Sequence, residues 1–314
     1  MKTALWGFFT PFIIYGIITA LHYLIPGRKV TGYVSHVDTG KKLKYRLNGR
    51  FVLILSILIW AFLGFFQIVP FEWLYRVRFY SLAGAFFIGL IFTLLIVLPY
   101  PPTGKSLPLD LFFGRLDNPQ FGEGKIDAKM WLYLSGAILL QLNALSFASY
   151  HYISFGSESS PGVFVCTAMI TYFIFDYLTF EEVHLYTYDF FAEKVGFKLG
   201  WGCLTFYPFF YSISLFTTAH LPDSGKPLWF TLMSIVLFLS GWILARGANM
   251  QKFYFKTQPQ KSFLRIQPQT LTEGNKRLLI NGFWGASRHI NYLGEILMAI
   301  GITLSVGYPS NIWG

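Results

Sequence analysis

Charged side chains are scarce in this sequence of 314 residues. Only 13% of the residues are Asp, Glu, Lys or Arg, whereas 54% are hydrophobic and 20% are aromatic. A soluble domain carries about 25% charged residues, so the composition argues against a water-soluble globular protein. Long apolar runs take the place of the missing charge. They predict an all-α, polytopic transmembrane helical bundle.

Several sequence patterns that carry familiar chemistry are also absent. No G-x-G-x-x-G and no G-x-S-x-G occur, so neither a Rossmann dinucleotide site nor a serine nucleophile is indicated. The Gly-Lys-Ser run at 104–106 lacks the first glycine of a P-loop, because Pro99 stands at that position. The six histidines have no metal-ligand spacing, and the only two cysteines, Cys166 and Cys203, lie inside apolar runs. We therefore predict no metal site and no disulfide.

Eight apolar runs are candidates for membrane segments. They are 4–25, 51–70, 80–98, 130–154, 161–180, 203–221, 228–246 and 292–308. A basic loop at 247–289 separates the last run from the other seven. We predict a single membrane domain over 1–314, with seven spans in 4–246, and with the loop and the last span in 247–314.

The 25 Lys and Arg residues are distributed unevenly over the connecting segments. When these segments are assigned alternately to two sides, 21 basic residues fall on one side and 4 on the other. Because the basic side is the cytoplasmic one, the N-terminus is predicted to lie outside the cytoplasm. The net charge of +10 is then a consequence of topology, and no nucleic-acid partner is predicted. Within the basic segment 26–50 we expect a short hairpin around Thr39 and Gly40.

Carboxylates cluster where the fifth apolar run ends. Asp176 lies inside the run, and Glu181 and Glu182 follow within about one and a half helical turns. These carboxylates either pair with Lys or Arg of the loops, or border a substrate cavity in which desolvation suits a carboxyl group to proton donation. Tyr186 follows them, and it belongs either to an aromatic belt at the membrane interface or to the same proton-donating site.

A second cluster combines basic, polar and aromatic side chains around the last apolar run. Its candidate residues are Asn249, Lys252, Lys256, Trp284, Arg288, His289, Asn291, Tyr292 and Glu295. Lys252 and Lys256 would share a face if their segment is helical. Arg288 is suited to bind a phosphate, and Trp284 could stack on an adenine or nicotinamide ring. Topology or contact with lipid headgroups would explain the basic residues alone, but Arg, His and Asn within four residues point to an anionic ligand.

Six segments resemble the sterol reductases of ergosterol and cholesterol biosynthesis, a family that includes the sterol C14 and C24 reductases, 7-dehydrocholesterol reductase and the membrane half of lamin B receptor. They are 45–49, 117–119, 126–130, 176–189, 249–256 and 282–295, the last two being the most specific. The family commonly has Arg where Lys256 stands and Asp where Glu295 stands. It also has about ten membrane segments and a polar C-terminal tail, so we expect this sequence to lack the C-terminal end.

The resemblance implies a function and a set of ligands. The expected reaction is NADPH-dependent reduction of a sterol carbon–carbon double bond, most of all of the C14 type, by protonation and hydride transfer. The nine residues of the second cluster would line the NADPH site. Asp176, Glu181, Glu182 and Tyr186 would border the sterol cavity and supply the acid. The partners would be a sterol or related polycyclic lipid and the lipids of an endoplasmic-reticulum or bacterial inner membrane.

Two other functions remain open. The isoprenylcysteine carboxyl methyltransferases, which use S-adenosylmethionine, have an Arg-His-Pro-x-Tyr-x-Gly-Glu signature. Glu295 fits the end of that signature, whereas Ile290 stands where it has Pro. The other alternative is a non-catalytic homologue that acts as a receptor or scaffold.

Overall fold

The computed structural model describes residues 2–36, 39–122, 124–274 and 276–308. In chain order its elements are α1 (Lys2–Leu24), β1 (Arg28–Ser35), β2 (Lys42–Leu47), α2 (Gly49–Phe65), α3 (Trp73–Arg76), α4 (Arg78–Val97), α5 (Leu107–Phe113), β3 (Gln120–Phe121), β4 (Ile126–Asp127), α6 (Ala128–Phe155), α7 (Pro161–Thr179), α8 (Glu181–His184), α9 (Tyr188–Phe191), α10 (Phe197–Trp201), α11 (Tyr207–Phe210), α12 (Ile213–Thr218), α13 (Leu228–Thr257), β5 (Thr270–Glu273), β6 (Lys276–Leu279), α14 (Phe283–Ala286) and α15 (Ile290–Ser305).

Helices dominate the fold, as the sequence predicts. Within the described residues, five helices are long and apolar enough to cross a membrane, namely α1, α4, α6, α7 and α13. Two shorter apolar helices, α2 and α15, have 17 and 16 residues. These seven helices overlap seven of the eight predicted runs, which confirms the helical fold and is consistent with an all-α membrane protein. The total of eight spans and the orientation of the N-terminus remain predictions.

The sixth predicted run, 203–221, is not one continuous helix. The chain forms a π-helical stretch at Gly202–Phe206 and then the short helices α11 and α12. Pro208 lies in the first turn of α11. Since proline has no amide hydrogen and its ring clashes with the preceding turn, it interrupts the regular bonding of an α-helix.

Helix α6 forms the centre of the bundle, and most of its side chains are buried. Asp127 caps its first turn, because one carboxylate oxygen accepts the backbone N–H groups of Lys129 and Met130, both at 3.1 Å. An aspartate at this position satisfies amides that have no partner within the helix. The cap fixes where α6 begins, and thereby which of its side chains face the site described below.

Helices α13 and α15 pack closely against each other through glycine. A Cβ atom added to Gly294 would lie 2.5 Å from the backbone nitrogen of Ala245, and one added to Gly301 would lie 2.7 Å from that of Phe238. Small residues allow two helix backbones to approach in this way inside a membrane. Helix α13 also continues to Thr257, so the predicted loop boundary at 247 is wrong. No proline occurs between Leu228 and Gln258, and the helix continues through Gly247, so that Asn249 and both lysines of its segment are helical.

Three small antiparallel hairpins join the helices. In the first, β1 pairs with β2, with Arg28 opposite Leu47. This confirms the hairpin predicted in the segment 26–50, although residues 37 and 38 of its connection lie outside the described part of the chain. The other hairpins pair β3 with β4 and β5 with β6. The last one precedes α14 and so leads directly into the predicted anion-binding segment.

Candidate functional site

A polar cavity of about 380 Å³ lies where the C-terminal parts of α7 and α13 meet α8, α9 and the start of α15. Its lining residues are Tyr133, Phe173, Asp176, Tyr177, His184, Thr187, Tyr188, Asp189, Trp242, Ala245, Arg246, Asn249, Lys252, Trp284, Arg288, His289, Asn291, Tyr292, Glu295 and Met298. Segments that are far apart in the sequence thus contribute cations, carboxylates and aromatic rings to one space.

Eight of the nine residues predicted around the last apolar run line this cavity. They are Asn249, Lys252, Trp284, Arg288, His289, Asn291, Tyr292 and Glu295. The exception is Lys256, which lies one helical turn beyond Lys252. Its ammonium group is 4.2 Å from the ring centre of Tyr33 and 4.4 Å from that of Phe191, outside the lining. The two lysines do share a face of α13, because the Lys252 ammonium group also lies over the Phe191 ring at 5.7 Å, but only Lys252 lines the cavity.

Helix α13 fixes the position of Trp284. The indole N–H donates a hydrogen bond of 2.8 Å to the carbonyl oxygen of Ala248, and the Lys252 ammonium group is 5.5 Å from the ring centre. One turn further on, the buried Gln251 side chain accepts the backbone N–H of Phe283 at 3.0 Å and donates to the carbonyl of Asn281 at 3.2 Å. The segment that precedes the cavity residues of α15 is thus held against α13.

Asp176 lies in the cavity wall and is paired with Arg246. The Nε atom of Arg246 donates to the Asp176 carboxylate at 2.8 Å, and a second guanidinium nitrogen contacts the same oxygen. The two side chains are only 14% and 10% exposed. Of the two interpretations offered by the sequence, the structure shows the ion pair.

The other three predicted acid candidates lie outside the lining. Glu181 accepts the backbone N–H of Gly49 at 3.0 Å, and burial raises the pKa of its carboxyl group to about 7. Glu182 forms an ion pair with Arg28, with 2.5 Å between the charged atoms. Tyr186 packs edge-on against Phe253, with 5.1 Å between ring centres. These contacts join α8 and the residues after it to β1, α2 and α13; a catalytic role for the three remains a prediction.

Aromatic residues missing from the sequence prediction complete the cavity wall. The Tyr133 hydroxyl donates a hydrogen bond of 2.7 Å to Asp189, and Tyr177 packs on the His184 ring at 3.9 Å between centres. Burial, reinforced by the nearby Arg246 charge, lowers the pKa of His184 to about 3, so the imidazole is neutral at neutral pH. Tyr133 and Tyr177 lie in apolar runs, where a tyrosine is indistinguishable from ordinary core. Only the closeness of Tyr133 to the 126–130 segment hinted at its role.

A second, apolar cavity of about 330 Å³ adjoins the polar one. Phe173, Glu295 and Met298 line both. The remaining wall consists of residues from the interrupted region and from α15, namely Phe206, Phe210, Tyr211, Ile213, Ser214, Ile296, Ala299, Ile302 and Thr303. An apolar molecule and an anionic, aromatic one can therefore lie end to end, with Glu295 beside their junction.

No cluster of three or more His, Cys, Asp or Glu side chains arranged for a metal ion is found within the described ranges. Both cysteines are buried free thiols. The chemistry of the cavity therefore has to be considered from its cations, carboxylates, amides and phenols.

Comparison with known proteins identifies the family of this chain. Residues 1–312 match the ergosterol biosynthesis ERG4/ERG24 family. The chain belongs to this sterol reductase family. It is 30% identical over 308 residues to a Delta(14)-sterol reductase of Methylotuvimicrobium alcaliphilum, a match that covers 93% of this chain and 69% of the relative.

Two further members of the sterol reductase family show a similar degree of likeness. The Delta(14)-sterol reductase of Arabidopsis thaliana is 31% identical over 92% of this chain and 79% of its own length. The Delta(14)-sterol reductase LBR of Gallus gallus is 31% identical over 96% of this chain and 48% of its own length. The resemblance drawn from the six sequence segments is thereby confirmed at the level of the family.

Proposed function

We propose that this protein reduces a carbon–carbon double bond of a sterol, of the C14 type, with NADPH as the hydride donor. The observation that carries the proposal is the pair of adjoining cavities, one polar and cationic and the other apolar, which share three lining residues. Relatives from a bacterium, a plant and a bird are named Delta(14)-sterol reductases, which supports the choice of bond.

The polar cavity fits the chemistry of a nicotinamide dinucleotide phosphate. Lys252 and Arg288 line it, and neither is in an ion pair with any other described residue. Both can therefore bind phosphate oxygens, Arg288 through its planar fork. Trp284 offers a fixed ring for stacking. The Trp242 side chain in the wall has a buried indole N–H without a described partner, a donor available to a bound ligand.

The acid of the proposed reaction has to come from the cavity wall. When bound, NADPH supplies the hydride. A proton delivered to one alkene carbon leaves a positive charge on the other, and hydride addition there completes the reduction. His184 is neutral and hydrogen-bonded to the Tyr177 carbonyl at 3.1 Å, so it is a poor acid at neutral pH. The Tyr133–Asp189 pair is the better candidate, while Glu295 places a carboxyl group where the two cavities meet.

The proposal places the reaction at a membrane boundary. Five helices are long and apolar enough to cross a bilayer, and the excess of basic residues supports a cytoplasmic position for the polar cavity, where NADPH is available. The membrane would be that of the endoplasmic reticulum in a eukaryote and the inner membrane in a bacterium.

The decisive experiment compares binding and turnover in purified protein. Protein in detergent is titrated with NADPH and, separately, with S-adenosylmethionine, and is then supplied with a Δ14-sterol whose product is measured. We expect saturable NADPH binding and sterol reduction, both greatly weakened in Arg288→Ala. Arg277→Ala is the matched control, because it removes the same charge outside the cavity lining.

Other results would identify the alternatives. Binding of S-adenosylmethionine without NADPH binding would show a methyltransferase, which the family membership does not favour. NADPH binding without conversion of any sterol would refute the assignment of substrate. If neither ligand binds, the remaining interpretation is a non-catalytic homologue.

A further inference from the structure

A lysine is completely buried at the start of the central helix. Lys129, in the first turn of α6, has no exposed surface. Its Nζ atom donates hydrogen bonds to the carbonyl oxygens of Asp189 at 2.7 Å, Phe190 at 3.1 Å and Glu193 at 2.6 Å. Three carbonyl acceptors require three N–H donors. An ammonium group has three, whereas a neutral amine has two. The geometry is therefore that of a charged lysine.

Burying this charge is expensive, and the protein does not offset the expense with an ion pair. Among the described residues, no carboxylate lies within 4.0 Å of the ammonium group. The three carbonyl dipoles replace water instead. An apolar side chain would fill the same space without the desolvation penalty. Ionisable residues at such positions in membrane proteins most often serve function, so the segment that Lys129 holds is the place to look for one.

The lysine holds one wall of the polar cavity. Two of the carbonyls belong to α9, a single turn of four residues whose members Tyr188 and Asp189 line the cavity. A helix this short has no stability of its own and depends on docking. Tyr133 lies one turn after Lys129 on the same face of α6, and its hydroxyl reaches the Asp189 carboxylate at 2.7 Å. Helix α6 thus binds α9 at two places. Lys129 holds the backbone carbonyls of α9, and Tyr133 holds the Asp189 carboxylate.

We propose that Lys129 is a positioning residue for a proton-donating pair formed by Tyr133 and Asp189. The inference rests on the proposed reductase function. In the reaction step, the Tyr133 O–H bond breaks as its proton forms a C–H bond with one alkene carbon. Water in the polar cavity then reprotonates the Tyr133 oxygen, while the Asp189 carboxylate keeps the phenol oriented as its hydrogen-bond acceptor. The proton added to the sterol comes from solvent, and the hydride comes from NADPH.

The test measures steady-state rates on purified protein. Lys129→Met keeps the length of the side chain and removes all three hydrogen bonds, so α9 can shift. We expect kcat to fall by about 100-fold, as misplacement of a catalytic group by about 1 Å does, with the KM for NADPH changed less than about twofold. Lys125→Met is the matched control. That lysine is nearby but exposed, with its ammonium group 4.5 Å from the Tyr23 ring centre, and the variant should keep the wild-type rate.

A double-mutant cycle separates positioning from general stabilisation. Tyr133→Phe removes the proton donor, and we expect kcat to fall by about 100-fold or more. Once the donor is absent, Lys129→Met should lower kcat by less than about twofold further. The proposal would be overturned if the reductions in kcat caused by Lys129→Met and Tyr133→Phe multiply in the double variant. It would also be overturned if Lys129→Met keeps the wild-type kcat. If Lys129→Met does not fold, Lys129→Gln replaces it in the same cycle, because its amide keeps two of the three donors. Absence of turnover in the wild-type protein would instead refute the reductase function, and the inference with it.

Discussion

Gly282 tests whether the segment before α15 has to be held against α13 for the cofactor to bind. Its backbone φ angle is +64°, a region that side chains with a Cβ atom avoid. A Cβ atom at this position would lie 2.2 Å from the amide nitrogen of Gln251. Gly282→Ala therefore strains the backbone and displaces the side chain that bonds to both Asn281 and Phe283.

The size of the effect follows from these contacts. A non-glycine residue in the left-handed region costs about 1–2 kcal/mol. Loss of the two Gln251 hydrogen bonds costs about 0.5–1.5 kcal/mol each. The sum is about 2–5 kcal/mol. If the ordered segment is required for binding, the lower half of this range, about 2–3.5 kcal/mol, corresponds to an NADPH affinity weakened by roughly 30- to 300-fold.

The assay is an equilibrium titration with NADPH, accompanied by a thermal melt of the ligand-free protein. Gly225→Ala is the control, because Gly225 has a φ angle of +62° and no atom within 4 Å of an added Cβ. Gly225→Ala also places a Cβ atom at a positive φ angle but without the collision, and its NADPH affinity should equal that of the wild type. In a Gln251→Ala background the obstacle is gone, so Gly282→Ala should weaken binding by much less than it does alone.

The reasoning fails if Gly282→Ala binds NADPH within twofold of the Gly225→Ala control. It also fails if the effects of Gly282→Ala and Gln251→Ala simply multiply. Either outcome would mean that the contact with Gln251 does not hold the segment before α15 in the position that NADPH binding requires.

Three further predictions concern neighbouring residues. Because the pKa of Glu181 is raised to about 7 from the usual 4.5, its contribution to stability is full below pH 4.5 and is lost as the pH rises towards 7; Glu181→Gln should flatten that part of a melting-temperature profile. Arg246→Met leaves the Asp176 carboxylate buried and unpaired, so the free energy of unfolding measured by chemical denaturation should fall by about 3–5 kcal/mol. If a second substitution, Asp176→Asn, restores this stability, the unpaired carboxylate is the cause. Trp284→Phe keeps a stacking ring but loses its hydrogen bond to α13, so NADPH affinity should fall by about five- to tenfold; an unchanged affinity would exclude a role for the fixed indole.

Long apolar runs and turn residues predicted much of the fold. Seven apolar runs became helices close to the expected boundaries, since the length needed to cross a bilayer is a local property of sequence. The end of α13 was placed eleven residues early because its polar residues were taken for a loop, whereas no proline interrupts the segment before Pro259. The interruption after Gly202 escaped detection, because an apolar composition does not distinguish α-helix from π-helix.

The candidate site was predictable where its residues are close in the sequence. The cluster from Trp284 to Glu295 was found from local polarity against an apolar background. Tyr133 and Tyr177 were not, because their roles depend on partners 56 residues away in one case and on ring packing in the other. The carboxylates showed a different limit. Sequence could not decide between pairing and proton donation for Asp176, because its partner Arg246 is 70 residues away.

The adjoining cavities determine in which units the concentration of each reactant should be expressed. Arg288 and His289 at the polar cavity are exposed, and the apolar cavity is bordered by the exposed apolar side chains of Phe210 and Ile296, 47% and 56% accessible. In the proposed reaction, one reactant arrives from water and the other never leaves the bilayer. The rate should therefore follow the molarity of NADPH but the mole fraction of sterol among the lipids. At a fixed NADPH concentration, diluting the vesicles with buffer would leave the rate per protein molecule unchanged, whereas diluting the membrane with phospholipid would lower it.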